Sequence, residues 1–442
     1  MKPSLWKWIT YGSSGLVSLG WALLWVMSKM GSKKALNWLS PRQDQEATKR
    51  VLTEVKSLGR PIVLAFASSA GEYEQILPVI HQLRSEGWSA LVCFFSPSGI
   101  KFAKARKDEI PFVPSPLDTV WHVRSFFETL KPDIVLVSKQ ELWPCFLSAA
   151  SKESSLFLVD ASVSERMLKR SALFPFSKYI SMYSLFHGVF CVSKEDYDWF
   201  IKFGLSPKKL EVTGDTKFDR VHERLQSSKE KRTSICEDWK RCFGDHQTII
   251  VGSAWPEDVS LVMGALKLLK QEISVVLVPH DISPEMGQKL AKMVESFGYN
   301  CQLYSKRHLE PLPSKNGKAV VIVDQLGRLF EMYDLASWAW VGGALHHQVH
   351  NVLEPAIRGT PTAFGLRYTN SQEARDLIKE GVAFATDEAN HLAHWIATTP
   401  PKLDENLLKT MQNKIGASER IHEILYDVKI RKMNHSYLQK LR

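Results

Sequence analysis

Short apolar runs, most of them rich in β-branched and aromatic residues, recur along the chain with longer segments of helical spacing between them. In the first half they are Pro61–Ala67, Ala90–Phe95, Asp133–Val137, Leu156–Val159 and Val189–Val192; in the second they are Thr248–Val251, Val275–Val278, Val320–Val323, Trp338–Val341 and Thr362–Phe364. A strand that is apolar on both sides is covered on both sides, and strands separated by helices pair in parallel. The pattern therefore predicts an α/β protein of two doubly wound, Rossmann-like domains over residues 45–225 and 240–400, with the polar stretch Gln226–Lys240 at their junction. A polar link near Ser40–Arg50 precedes them, and residues 401–442 read as a helix with a basic tail. Ligands of open parallel sheets sit at the carboxyl ends of the strands, which directs attention to the loops after strands and to a cleft between the two sheets.

One segment breaks this rhythm. Ile9–Met27 runs nineteen residues without a charge, close to the ~20 that carry a helix across a bilayer. Trp6, Trp8 and Trp25 stand towards its ends, where indole favours the headgroup region, and Lys29, Lys33 and Lys34 follow. Residues 1–34 are thus expected to be a membrane anchor, with the lysines keeping the rest of the chain on the cytoplasmic side. No small-residue cleavage site follows, which argues against a signal peptide. The serines, threonine and glycines in the segment keep its hydrophobicity modest, so a helix lying in the interface is an alternative to one that spans.

Composition narrows the partners more than the fold. The 442 residues, 44% hydrophobic and 24% charged, are those of an ordinary globular protein. A formal charge of +10 suits an acidic partner. No zinc-finger spacing or aromatic-basic pattern points to nucleic acid, so an anionic membrane surface is the preferred reading. Cys93, Cys145, Cys191, Cys236, Cys242 and Cys301 form no CxxC pair and no disulfide or metal spacing, which suits a reducing compartment.

Candidate chemistry lies after the strands. Ser68-Ser69-Ala70-Gly71-Glu72 leads from the first run into helical spacing. Gly71 permits unusual backbone angles, and Glu72 falls at a helix start where the dipole favours its ionised form; such a carboxylate is a general base or simply a first-turn residue. Lys139-Gln140-Glu141-Leu142-Trp143-Pro144 sets charge at another strand end. Gly214–Asp219 places Lys217 where it neutralises a phosphate or a developing charge, or pairs with its neighbouring aspartates. In the second half, Gly252–Asp258 joins a strand to a helix, and Pro279 and His280 end the next strand. Val341–Ala356 is the most informative stretch: a strand, Gly342-Gly343, a polar loop and a helix, whose first amides can face a phosphate while Glu354 accepts from ribose hydroxyls. His346, His347 and His350 have no carboxylate or thiolate at fixed spacing, so no metal is assigned. Asn370–Glu373 reads as a capping box opening a helix that stops before Gly381.

Taken together in this order, these motifs resemble the 3-deoxy-D-manno-octulosonic acid (Kdo) transferases of lipid A biosynthesis, which are GT-B-fold glycosyltransferases with an N-terminal membrane anchor. The family's Ser-x-Gly-Glu matches Ser69–Glu72, its Glu-Leu-Trp-Pro matches Glu141–Pro144 and its Gly-x-x-Lys-Phe-Asp matches Gly214–Asp219. Its Asp-x-x-Gly-x-Leu matches Asp324–Leu329, and its Gly-Gly with His-Asn-x-Leu-Glu-Pro matches Gly342, Gly343 and His350–Pro355. The resemblance implies that Glu72 takes a proton from the acceptor hydroxyl as it attacks CMP-Kdo with inversion, and that Lys217 stabilises the charge of the transition state. It implies that CMP is held by Pro279, His280, Gly327, Arg328, Leu329, Asn351, Val352, Leu353 and Glu354, with Ser69, Gly71, Lys139 and Glu141 in auxiliary or acceptor roles. The acceptor would be the lipid A precursor at the cytoplasmic face of the inner membrane, beside anionic lipid, with no cofactor, no metal and no nucleic acid. Several positions depart from the family pattern: Lys139 stands for a Glu, Asp160 and Ser162 for an Asn and an Arg, Arg328 for an acidic residue, and Gln348-Val349 for two glycines. Two other readings follow from the same residues: a different GT-B sugar-nucleotide transferase or epimerase, and a membrane-tethered relative with altered catalysis.

Overall fold

The computed structural model describes residues 3–106, 110–139, 141–164, 167–169, 180–229, 232, 233, 235, 237, 239, 247–306 and 319–426. Gln140, Cys236, Cys242 and the basic tail beyond 426 lie outside the described residues, as do the side chains of Trp6 and Trp8. The chain divides into two compact units, Met1–Arg220 with Ile415–Arg442, and Val221–Lys414.

The first unit is built on seven parallel strands: β1 (Ile62–Ala67), β2 (Ser89–Phe94), β3 (Phe112–Pro114), β4 (Ile134–Ser138), β5 (Ser155–Ala161), β6 (Gly188–Cys191) and β7 (Leu210–Val212), in the order β3-β2-β1-β4-β5-β6-β7. The second has β8 (Thr248–Ala254), β9 (Ser274–Pro279), β10 (Asn300–Leu303), β11 (Ala319–Ile322), β12 (Trp338–Val341), β13 (Thr362–Phe364) and β14 (Ala383–Ala385), in the order β10-β11-β9-β8-β12-β13-β14. These are the two Rossmann-like sheets of the GT-B fold. In each, successive residues of an apolar run feed opposite layers. Ile62, Leu64 and Phe66 of β1 enter one core, and Val63, Ala65 and Ala67 the other. Ile249 and Val251 of β8 likewise separate from Ile250. That two-sided burial is why the strands read as unbroken apolar runs.

The four outermost strands, β3, β7, β10 and β14, have only three or four residues each, and most of those residues keep some exposure to water. They carry no strong apolar run, so the pattern that announces the inner strands passes over them. Two other segments differ from the sequence reading. Ser40–Arg50 is helical, not an irregular link: a short turn over Ser40–Arg42 leads to Asp44, which accepts from Ala47 N (2.8 Å) to cap the helix Gln45–Ser57. Gln226–Lys240 is not wholly polar in its placement, since Ile235 and Trp239 enter the core beneath β8, β9 and β11.

The N-terminal helix and the segment 416–426 are both tied to the first unit. The helix Pro3–Lys29 contains a stretch, Ile9–Lys29, long and apolar enough to cross a membrane. On one side the Cys145 thiol donates to Thr10 O (3.4 Å) and Val120 N to Ser14 Oγ (3.4 Å), while Leu16 and Leu19 on the other are about 70% exposed. Arg42 donates to Phe95 O (2.6 Å) and Ser115 O (3.2 Å) and lies over the Trp21 ring, pinning the base of this helix to the ends of β2 and β3. A helix over 417–426 sends Ile421 and Leu425 into the layer formed by Val63, Ala65 and Val92. Asp219 accepts from Gly416 N (2.5 Å) and Ser418 N (2.6 Å), capping its start. Leu425→Ala is expected to lower the unfolding free energy by ~2–4 kcal/mol through the cavity it leaves, read as a shift of the chemical denaturation midpoint at unchanged slope.

Candidate active site

Each sheet reverses its direction of winding once, between β1 and β4 in the first unit and between β8 and β12 in the second. At such a reversal the neighbouring loops diverge and leave a crevice at the carboxyl ends of the strands. Glu72 and Lys139 follow the two strands at the first reversal and Asn351–Glu354 the loop after β12 at the second, while Lys217 follows β7, His280 follows β9 and Gly327–Leu329 follow β11.

In the first unit, Ser69 leaves β1 in extended geometry and caps the helix Ala70–Ser85, its Oγ accepting from Glu72 N (3.4 Å). Glu72, at the third helical position, turns back so that Oε2 accepts from Ser68 N (2.5 Å). Gly71 is ordinary helical backbone, and a Cβ there would meet nothing nearer than Ser69 Oγ at 4.0 Å. Its unusual angles are therefore not needed; its smallness leaves the approach to Glu72 open. The helix dipole was expected to keep Glu72 ionised, but burial, with Glu141 adding to it, outweighs the Ser68 bond and Lys139 and pushes the carboxyl up to about 7. Glu141 is held by Trp143 Nε1 (2.8 Å).

Two residues that the sequence did not mark as site groups complete this cluster. Asp160, at the end of β5, is fully buried and accepts from Thr216 N (2.9 Å) and Thr216 Oγ1 (2.5 Å), and burial together with Asp215 raises its carboxyl well above its ordinary range. Asp215 accepts from Lys217 N (2.9 Å) and Gln75 Nε2 (3.3 Å). Burial drives Lys217 down to about 8 against the pull of Asp215, with Lys139 adding to the fall. In the sequence Asp160 stood out only as a departure from the family pattern and Asp215 only as a neighbour of Lys217 in Gly214–Asp219, and neither signal shows that the two carboxyls meet. Glu72, Lys139, Glu141, Asp160, Asp215 and Lys217 thus share one electrostatic neighbourhood.

In the second unit the organising group is Asp258. Its carboxylate accepts from Trp255 N (3.0 Å), Trp340 Nε1 (2.9 Å) and Gly343 N (3.2 Å), fixing the loop after β8 to the loop after β12. That contact is close: a Cβ on Gly342 would lie 2.4 Å from Ser253 O, and Gly343 turns at φ 97° with Gln348 O 2.4 Å from where its Cβ would be. Only glycine fits either position. The loop then delivers histidines onto Trp255. The His280 ring is sandwiched between Trp255 (4.6 Å) and His350 (4.7 Å), while His346 and His347 lie 5.2 and 4.9 Å from Trp255. Burial, then His280 and His347, lower the His350 pKa. No group of three metal-ligating side chains occurs among the described residues.

The expected helix after Asn351 is a single turn, Leu353–Ala356, with Arg358, Gly359 and Thr360 amides folding back on its last carbonyls. Leu353 N is already taken by Asn351 Oδ1 (3.1 Å). Glu354 is buried, and Oε1 accepts from Arg224 Nη1 (2.8 Å) and Asn351 Nδ2 (3.2 Å). Arg224 and Arg358 both lie over the Phe330 ring, and Asp334 accepts from Arg358 Nε (2.6 Å) and from Arg232. Glu354 therefore braces this network as well as lining the loop. Val352 is buried, Gly327 turns at φ 74°, Arg328 precedes the turn Leu329–Met332, and Leu329 lies against Gly252. Ser371 caps the helix Gln372–Lys379 through Ala374 N (3.2 Å), but Glu373 bonds the serine hydroxyl instead of completing a capping box.

The family described as "3-Deoxy-D-manno-octulosonic-acid transferase (kdotransferase)" matches residues 39–220. The 3-deoxy-D-manno-octulosonic acid transferase of Aquifex aeolicus is 26% identical over 383 residues, covering 85% of this chain and 91% of its own. That of Chlamydia trachomatis is 28% identical over 319 residues, covering 69% and 70%. The chain thus resembles the Kdo transferases over most of its length. Among solved structures, UDP-GlcNAc 2-epimerase of Neisseria meningitidis superposes with TM-score 0.57 at 16% identity, over 83% of this chain and all of its own, and Acinetobacter baumannii MurG with TM-score 0.51 at 13% identity, over 83% and 99%. At those identities the likeness is one of fold. That resemblance supports a glycosyltransferase.

Asp258→Ala would leave three buried donors without their acceptor and is expected to destabilise the second unit by roughly 3 kcal/mol or more, measured by chemical denaturation followed through Trp255 and Trp340 fluorescence.

Proposed function

We propose that the protein transfers Kdo from CMP-Kdo to the lipid A precursor, with inversion, at the cytoplasmic face of the inner membrane. Glu72 carries the reading: in a chain that resembles this family, a largely buried carboxyl with a pKa near 7 stands at the reversal point of the first sheet within the influence of Lys139, whose own neighbour is Lys217. A base poised near the working pH is the one that removes a proton most effectively as the transition state forms. The acceptor hydroxyl oxygen bonds to the anomeric carbon, its proton passes to Glu72, and the bond from that carbon to the CMP phosphate oxygen breaks. Lys217 offsets the charge that develops.

CMP would bind the second unit around Pro279, His280, Gly327–Leu329 and Asn351–Glu354. Trp255 Nε1 and His346 Nδ1 support this, since both are buried without a hydrogen-bond partner among the described residues and a nucleotide offers the polar atoms they lack. The exposed apolar side of the helix Pro3–Lys29 supports an anchor, and the formal charge of +10 suits an anionic leaflet. Neither metal nor cofactor has a part in the proposed step.

Full-length protein in membranes, given CMP-Kdo and the lipid A precursor, is expected to yield a Kdo-bearing lipid by mass spectrometry; folded protein that yields none would end this reading. Glu72→Gln is expected to lower kcat/KM by about 10²–10⁴-fold. In the unmutated protein the rate should climb as pH rises through about 7, because only ionised Glu72 accepts the proton.

A further inference from the structure

The apolar helix Pro3–Lys29 is held against the first unit along one side. Its less exposed positions, Thr10, Ser13, Ser14, Val17, Trp21 and Leu24, recur every three or four residues, which on a helix is one face. At one end of that face the Cys145 thiol donates to Thr10 O, and Val120 N donates to Ser14 Oγ. At Trp21, roughly 16 Å further along the helix, the Arg42 guanidinium covers the indole while bonding Phe95 O and Ser115 O. Beyond Trp21 only Ala22–Lys29 remains, roughly 12 Å of helix. There the chain turns at Gly31 (φ 89°) and sends the helix Lys33–Leu39 back against it. The hydrocarbon core of a bilayer is ~30 Å thick. The helix cannot cross it while these contacts stand, because Lys33, Lys34 and Arg42 would have to enter the lipid with it.

The outward side of the helix carries Leu16, Leu19, Leu23, Trp25, Val26 and Met30, all exposed. Trp121, next to the Val120 that bonds Ser14, is 75% exposed, so a second element sets an indole in water beside the same helix. The first 43 residues hold five lysines and Arg42 and no acidic residue. An apolar row, interfacial indoles and unopposed lysines are together the chemistry that recognises an anionic bilayer surface. We propose that the helix Pro3–Lys29 lies in the plane of one leaflet without spanning it, stays docked on the first unit, and shares its membrane face with Trp121. This rests on the anchor reading above and replaces a spanning helix with an interfacial one. It also gives the hydroxyls of the segment a place: Ser13 donates to Thr10 O (3.0 Å) and Ser14 accepts from Val120 N, on the side turned away from lipid. A docked helix holds the crevice after β1 and β4 at one height over the leaflet that contains a lipid acceptor. The packing that would transmit this is continuous, since the Phe95 ring under Arg42 also lies on Trp143 (4.2 Å), whose indole holds Glu141.

The test uses full-length protein in sealed, inside-out membrane vesicles from cells that produce it. Ser13 Oγ lies 3.9 Å from Cys145 Sγ, so Ser13→Cys is expected to form a disulfide with Cys145 under mild oxidation while the protein stays in the membrane, read by mass spectrometry as a joined pair of peptides. Ser4→Cys is expected to react with a membrane-impermeant maleimide added outside these vesicles, as fully as it does after detergent. Purified protein then binds phosphatidylcholine–phosphatidylglycerol vesicles in a sedimentation assay. Trp121→Ser, a change at an exposed position, is expected to weaken that binding by roughly tenfold through loss of the area the indole buries. Membrane-bound protein in which Ser13→Cys and Cys145 stay unjoined, a residue 4 shielded until detergent is added, or binding unmoved by Trp121→Ser would each overturn the inference and leave the anchor reading standing. Unmutated protein that sediments with neither kind of vesicle would end the anchor reading, and the inference with it.

Discussion

Withdrawal of Glu72 from water is the constraint on which the first site depends. A carboxyl at a helix start that accepts a backbone N–H would ordinarily be a strong acid, since both the dipole and the hydrogen bond favour its charge. Here burial and the neighbouring Glu141 outweigh them. The same burial lowers Lys217 and raises Asp160, so three groups of opposite intrinsic character are drawn towards neutrality together. Such a cluster stays in place only if the backbone beneath it is fixed. Thr216 on Asp160 and the left-handed turns at Lys139 and Asp160 fix it.

The second unit meets a related demand with a different device. Asp258 is spent wholly on holding other groups: it binds the backbone of Trp255 and Gly343 and the indole of Trp340. Two loops that follow non-consecutive strands are thereby drawn to within contact of each other, and only glycine at 342 and 343 lets them come so close. The histidines then stack where the loop puts them. Glu354 is similarly committed, through Arg224 and Asn351, to bracing the turn in which it stands. Residues that read in the sequence as ligand contacts thus have structural work, and substitutions among them will change loop geometry.

The inner strands, the order of helices and strands, the apolar N-terminal helix and the motif-bearing loops were all legible in the sequence. Each depends on local periodicity or on a short contiguous string: the apolar runs of β1 and β8, the uncharged stretch Ile9–Met27, the glycines before His350. The edge strands β3, β7, β10 and β14 were not, because a short strand that remains partly exposed leaves no apolar signature. Nor was the single-turn form of Leu353–Ala356, whose ending depends on amides folding back from Arg358 to Thr360.

What the sequence determined by itself was therefore the fold class, the family resemblance and the motifs whose charged residues are the site candidates. Only the tertiary structure decided their protonation and their partners. Glu72, Lys139, Asp160 and Lys217 lie on four separate stretches of chain, and nothing local to any of them says which charges it will face or how far water will be excluded. Electrostatic energy depends on distance and surroundings in space, and those are set when parallel strands bring their carboxyl ends side by side.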